Sequence, residues 1–154
     1  MPNEQDVFNV TKTLGRSPRG DFLVAVRTFD GLPVVIRNPV VLDDGTLMPT
    51  IWWLVGQAEC LATSRLESTG GVKQAEMAVD PVLLQKAHHV YAAKREAMFP
   101  FDYKGPRPRG GVGGTRKGVK CLHAHLAWFL AGGDDPVGRW TFDKLGLDGT
   151  SYQR

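Results

Sequence analysis

The residues best suited to chemistry lie close together in the C-terminal half of the chain. Cys121, His123 and His125 fall within the segment KCLHAHLAWFLA, whose other residues are almost all apolar. A helix that is apolar on nearly every face is buried in a globular protein, so these side chains are expected to be at least partly enclosed. Buried polar side chains need partners, and they therefore serve either the packing of the core or a site.

One interpretation of these residues is catalytic. Cys121 begins the predicted helix beside Lys117 and Lys120, a setting that is expected to lower the pKa of a thiol. Cys121 would then act as a nucleophile or a polar contact, with His123 or His125 as the acid–base group. The alternative is structural, with a small buried cysteine and a histidine bonded to the backbone.

A metal site is a further alternative, although the sequence favours no particular set of metal ligands. In a regular helix His123 and His125 point to different faces, whereas Cys121 and His125 are four apart and share a face. Zinc binds cysteine and histidine side chains at such spacing. Cys60 or His88 could complete the set, so zinc is a possible cofactor at these positions.

A basic, glycine-rich loop leads directly into this helix. No acidic residue interrupts it, and the glycines allow the backbone to approach a ligand closely. Successive backbone N–H groups and a helix N-terminus both favour negative charge, so the sequence predicts a phosphate or carboxylate site. The residues expected to contact the anion are Arg107, Arg109, Gly113, Gly114, Arg116, Lys117 and Lys120, with Arg107 and Arg109 closing over it.

Other interpretations of the loop remain open. The order GGTRKGVK lacks the Gly-Lys-Ser/Thr ending of a nucleotide-binding P-loop, and no strand clearly precedes it. A solvated, flexible loop is one alternative, and a nucleic-acid contact is another. Tyr103 is the only aromatic residue adjoining the cations, whereas single-strand binding usually employs several.

The elements that must position these residues follow from the periodicity. Three β-rich runs between about residues 22 and 55 are separated by Asp30-Gly31 and Asp44-Gly45 turns, which predicts an antiparallel meander. Helical spacing follows from about 57 to 140, with Asp80-Pro81 and Asp135-Pro136 as helix starts. The fold class is therefore α+β, with the helices packed on one face of a small sheet.

The expected domain organisation is simple. Residues 1–20 are predicted to be a flexible arm, 21–141 a single domain and 142–154 a tail. On the helix before the loop, His88 is expected to face the core. Adjacent Trp52 and Trp53 on a strand should face opposite sides, one of them covered by a helix or by another chain, as in a homo-oligomer.

Bulk properties exclude several classes of protein. The chain has 154 residues and 42% hydrophobic residues, enough to form a core without disulfides or metals. A net charge of +3 does not by itself imply nucleic acid. Two cysteines are not a disulfide framework, and the start of the chain does not resemble a signal peptide. No apolar run is long enough for a membrane span, so a cytoplasmic location without membrane contact is expected.

The segments GLPVVI, DGTLMPTIWWL, SRLESTGG and GVGGTRKGVKCLHAHLAWFLAGGDDPVG resemble the DUF501 family of bacterial proteins, common in actinobacteria. The resemblance spans roughly Arg27 to Gly138 and implies no assigned catalytic residues. Many members carry further cysteines where this chain has Thr28 and Gly56, so a metal site built on them would be incomplete here. Members are often encoded beside enolase, a septum protein and an exopolyphosphatase, which implies a phosphate ligand or a cell-division partner.

Two functions are therefore expected. The first is binding of a small anion. In this case the protein could also be a small enzyme that acts on a phosphorylated or carboxylated substrate. The second is a non-enzymatic interaction module. Its basic loop, together with an exposed Trp52 or Trp53, would bind a protein partner such as a cell-division protein, an acidic segment or a nucleic acid.

Overall fold

A computed structural model describes all 154 residues of the chain. Its centre is a four-stranded sheet in the order β3-β2-β1-β4, with every neighbouring pair antiparallel. The α+β class and the small meander predicted between residues 22 and 55 are confirmed. The strands are β1 (Leu23–Thr28), β2 (Pro33–Arg37), β3 (Trp52–Leu54) and β4 (Tyr152–Gln153).

The pairing of β2 with β3 explains the two tryptophans. Ile36 lies opposite Trp53, and Arg37 lies opposite Trp52. Because side chains alternate along a strand, Trp52 and Trp53 point to opposite faces, as predicted. Trp52 is buried in the main core, whereas Trp53 is half-buried and packs with the cluster on the other face.

Five helices follow the meander, and α5 is the one that lies directly on the sheet. Trp128 of α5 packs against Trp52 and Tyr91, with ring centroids 6.2 and 5.1 Å away. None of the helices combines the length and apolar composition that crossing a membrane requires. The helices are α2 (Gln57–Ser68), α3 (Gly71–Ala78), α4 (Pro81–Glu96), α5 (Leu122–Leu130) and α6 (Pro136–Lys144).

Both predicted Asp-Pro helix starts are confirmed. Asp80 caps α4 by accepting a hydrogen bond from Val82 N–H at 2.8 Å. Asp135 caps α6 by accepting from Val137 and Gly138 at 2.9 and 3.0 Å. In each case the proline occupies the first helical position, where no N–H is needed.

The N-terminal segment differs from the flexible arm expected over residues 1–20. Helix α1 (Glu4–Leu14) begins with a capping box in which Asn3 and Asp6 exchange side-chain to backbone hydrogen bonds. Asp6 also forms an ion pair with Arg27 of β1 at 2.7 Å, and the side chain of Val10 is fully buried. Helices therefore cover both faces of the sheet, because α1 lies on the face opposite α5.

The C-terminal segment also differs from the tail expected over residues 142–154. Helix α6 continues to Lys144, and Tyr152–Gln153 forms the edge strand β4 beside β1. Arg154 donates from Nε to the carbonyl of Leu130 at 3.1 Å. These contacts link the chain end to β1 and α5, so the folded unit extends well beyond residue 141.

Candidate functional site

The basic glycine loop (residues 105–120) is irregular, as predicted, apart from one short 3₁₀ turn at Val112–Gly114. Gly113 and Gly114 take left-handed backbone angles, with φ of 67° and 80°. Gly111 passes so close to α4 that a Cβ there would lie 2.5 Å from atoms of His88. Glycine is thus required both for the turn and for the close approach.

His88 is hydrogen-bonded to the loop at two points, Val112 and Gly118. Its Nδ1 accepts a hydrogen bond from Val112 N–H at 3.0 Å, and Nε2–H donates to the carbonyl of Gly118 at 2.9 Å. The predicted inward orientation is confirmed, since His88 is buried. Burial lowers the pKa of the imidazole, which favours the neutral form that these two hydrogen bonds require.

Two further side chains fix the loop to the helical layer. The buried guanidinium of Arg95 donates to the carbonyls of Pro108 and Gly110, and also to that of Pro49 at 3.0 Å. Glu76 accepts a hydrogen bond from Val119 N–H at 2.6 Å. The loop is therefore attached to α3 and α4 at several points along its length.

The predicted anion-binding cations separate into different environments. Arg107 pairs with Glu96 and stacks over Phe99 and Tyr103, with its Cζ 4.7 and 5.4 Å from the ring centroids. This position turns Arg107 towards α4 and away from the first turn of α5. The remaining cations are exposed and form no ion pair: Arg109, Arg116, Lys117 and Lys120.

A cavity of about 410 Å³ opens where the loop meets α5. Its lining includes Gly113 and four residues with polar side chains, Thr50, Lys120, Cys121 and His123. Gly114, Arg107, Arg109, Arg116, Lys117 and His125 do not line it. The apolar walls include Leu14, Met48, Pro49, Trp52, Trp53 and Leu54.

Cys121 does not belong to the helix. It is the N-cap residue of α5, with extended φ and ψ of −155° and 127°, so the expected sharing of a helix face with His125 does not occur. Burial raises the pKa of its thiol, outweighing the backbone N–H groups of Ala124 and His123 that favour the thiolate. The predicted lowering of this pKa is thus wrong in direction.

The nearest chemical partners of Cys121 are His123 and Glu67. Their potential ligand atoms all lie within 4.8 Å of one another. Nδ1 of His123 is 3.0 Å from Glu67 Oε1, and its Nε2 is 3.2 Å from the hydroxyl of Ser64. The other oxygen of Glu67 accepts from Leu122 N–H at 2.8 Å, which fixes the carboxylate at the start of α5.

Sequence reasoning missed Glu67 and Ser64. They are three residues apart on α2 and therefore share a helix face, which is a local signal. Nothing local indicates that this face meets the start of α5, because the contact joins residues 59 positions apart along the chain.

His125 occupies a different environment from His123. Its Nδ1–H donates to Asp135 at 2.6 Å, and both side chains are almost fully buried. Its Nε2 is buried without a partner, and its ring packs 5.8 Å from that of His88. His125 thus links α5 to the first turn of α6.

The four metal ligands considered from the sequence, Cys60, His88, Cys121 and His125, do not form one site. Cys60 donates its thiol to the carbonyl of Leu54 at 3.2 Å, and burial raises its pKa to about 11. His88 uses both ring nitrogens on the loop, and His125 is bound to Asp135. Of the four candidates, only Cys121 lies in a group of potential ligands, with Glu67 and His123.

Residues 24–143 match the model of the DUF501 family, which is described as a protein of unknown function. The chain belongs to the DUF501 family. The match covers β1 to β3, the basic glycine loop, the start of α5 and most of α6. Neither the curated proteins nor the solved structures contain a match to the chain. The DUF501 description assigns no activity.

Proposed function

We propose that this DUF501 protein binds a small organic anion in the cavity at the start of α5. The observation that carries this proposal is that one cavity is lined both by apolar side chains and by a cation at a helix start. Trp53, Met48 and Leu14 offer an apolar surface, whereas Lys120 and the helix start offer positive potential. The ligand that suits both groups of lining residues is a phosphate or carboxylate attached to an apolar or aromatic body.

Backbone geometry supports the anionic end of this ligand. The start of α5 carries the partial positive charge of a helix N-terminus, and three residues of this start line the cavity, namely Cys121, His123 and Ala124. Glu67 already accepts from Leu122 N–H, so the proposal rests on this partial charge and on Lys120 rather than on that N–H group. Gly113 exposes its backbone there because it has no side chain. The proposal is therefore one of binding, in which Cys121 serves as a polar contact and His123 is the available acid–base group.

Calorimetric titration with phenyl phosphate and benzoate tests this proposal. We expect both to bind more tightly than uncharged benzyl alcohol, and inorganic phosphate to bind more weakly than phenyl phosphate because it lacks an apolar body. Lys120→Gln should weaken phenyl phosphate binding by about threefold to fivefold, since Lys120 is exposed and its attraction is screened. The titrations are run in EDTA, so that bound metal plays no part.

Lys117→Gln is the matched control. Lys117 lies on the same loop and is equally free of ion pairs, but it does not line the cavity. Its replacement should leave the affinity within about twofold of the wild type. Equal losses in the two variants, or equal binding of benzyl alcohol and phenyl phosphate, would contradict a site in this cavity.

A second candidate function is an interaction module for a polyanion or an acidic protein segment. It is favoured by Arg109, Arg116 and Lys117, which are exposed, form no ion pair and lie outside the cavity. Their charge would attract such a partner over the Debye length of about 8 Å at physiological salt. We also propose a reducing compartment such as the cytoplasm, which the two free cysteines support.

A further inference from the structure

We propose that Glu67, Cys121 and His123 form a zinc site whose fourth position opens into the cavity. This inference goes beyond anion binding and does not depend on it. Carboxylate oxygen, thiolate sulfur and imidazole nitrogen are the three ligand types that zinc takes in proteins. Here one of each converges, with all potential ligand atoms within 4.8 Å of one another.

The backbone explains why ligands two residues apart can converge. Cys121 precedes α5 with an extended backbone, whereas His123 lies in the first helical turn. The change of conformation between them turns both side chains towards α2, where Glu67 lies. Ligands therefore come from two elements that already pack against each other, and no rearrangement of the backbone is needed.

Hydrogen bonds outside the cluster orient two of the ligands. Leu122 N–H occupies Oε2 of Glu67, which leaves Oε1 free to face His123. On the far side of the imidazole, Nε2 lies 3.2 Å from the hydroxyl of Ser64. Outer partners of this kind fix ligand orientation in zinc sites.

The hydroxyl of Ser64 also allows the imidazole to change tautomer. In the neutral imidazole without metal, Nδ1 carries the proton, because the carboxylate of Glu67 beside it can only accept, and Nε2 then accepts from the hydroxyl of Ser64. With metal on Nδ1, the proton sits on Nε2 and Ser64 accepts it, since a hydroxyl can donate or accept. Both states keep every polar atom of the imidazole satisfied in the same geometry.

The fourth position follows from the surroundings of the cluster. Cys121 and His123 also line the cavity, and both are only partly buried. Zinc sites with three protein ligands keep a place for water or a ligand group, whereas closed structural sites use four. The anion proposed for the cavity would be near enough to occupy that place.

Cobalt substitution tests the site directly, because a cobalt–thiolate bond gives a charge-transfer band in the near ultraviolet. Titration of the full chain with Co²⁺ should give this band at one equivalent, and Zn²⁺ should displace it. Cys121→Ser should abolish the band while keeping a small polar residue at the helix cap. Glu67→Gln keeps the acceptor for Leu122 N–H and should weaken metal binding at least tenfold.

Matched controls separate coordination from folding. Cys60→Ser should retain the band, because Cys60 points to the carbonyl of Leu54. Ser64→Ala should weaken metal binding by roughly 10-fold or more. Ser68→Ala should leave metal binding unchanged, because Ser68 lies on the same helix but its hydroxyl is bonded only to the carbonyl of Arg65. A circular dichroism melt of each metal-free variant shows whether it is folded.

Nitrogen NMR of His123 gives a second readout, in which zinc should move the ring proton from Nδ1 to Nε2. Absence of a thiolate band in the wild type, its survival in Cys121→Ser, or its loss in Cys60→Ser would overturn the zinc site. The anion titrations are performed in EDTA and therefore do not depend on bound metal. A failed cobalt titration would leave the anion proposal standing, and a failed anion titration would leave the zinc proposal standing.

Discussion

Replacing Asp135 by alanine is expected to lower the free energy of unfolding by about 3–5 kcal/mol. The carboxylate is fully buried and accepts three hydrogen bonds, from His125 and from the backbone of Val137 and Gly138. Its removal leaves all three donors without acceptors where water cannot replace them. Urea unfolding followed by circular dichroism measures the loss.

Asp80→Ala is the matched control for this prediction. Asp80 also caps a helix before a proline, but it is exposed and accepts only from Val82. Loss of an exposed cap costs about 1 kcal/mol. Asp135→Asn keeps an oxygen for the cap and should fall between the two variants. A loss at Asp135→Ala no greater than at Asp80→Ala would show that the buried bond to His125 contributes little.

Arg95→Met is expected to destabilise the protein by about 3–5 kcal/mol and to loosen the basic glycine loop. The guanidinium supplies hydrogen bonds to three carbonyls, those of Pro49, Pro108 and Gly110. Methionine fills much of the same volume but donates nothing, so buried carbonyl oxygens lose their partners. Urea unfolding gives the total effect, and amide hydrogen exchange over residues 108–119 gives the local one.

Arg95→Lys refines this test. Lysine keeps the charge but lacks the planar fork that reaches carbonyls in different directions, so an intermediate loss is expected. Lys94→Met, at the exposed neighbouring position of α4, should change stability by less than about 0.5 kcal/mol. Unchanged hydrogen exchange of the loop in Arg95→Met would contradict its role in fixing the loop.

Local signals were sufficient for much of the fold. Asp-Pro pairs mark the starts of α4 and α6, and the β-rich runs with Asp-Gly turns mark the meander. Helix α1 was missed although the sequence carries local signals for it, namely the Asn3–Asp6 capping box and apolar residues at helical spacing, Val7, Val10 and Leu14. Strand β4 has only two residues and is defined by its pairing with β1. No local sequence pattern indicates this pairing.

The candidate site was predictable only in part. The glycine loop, Lys120, Cys121 and His123 stand out in the sequence, and the structure places them around one cavity with Gly113. The roles of Arg107 and His125 depend on Glu96 and Asp135, whose proximity is set by packing. The pKa of Cys121 was misjudged for the same reason, since burial, which outweighs the other effects, is a tertiary property.

The salt dependence of binding tests the central claim, a small-anion site in the cavity at the start of α5, most directly. Affinity for phenyl phosphate and for a short DNA duplex is measured from low to physiological salt. A single anion held at the cavity predicts measurable phenyl phosphate binding, with a slope of log affinity against log salt no steeper than about −1. Absence of phenyl phosphate binding, together with tight DNA binding at a slope steeper than about −3, would contradict the cavity site and favour the polyanion surface.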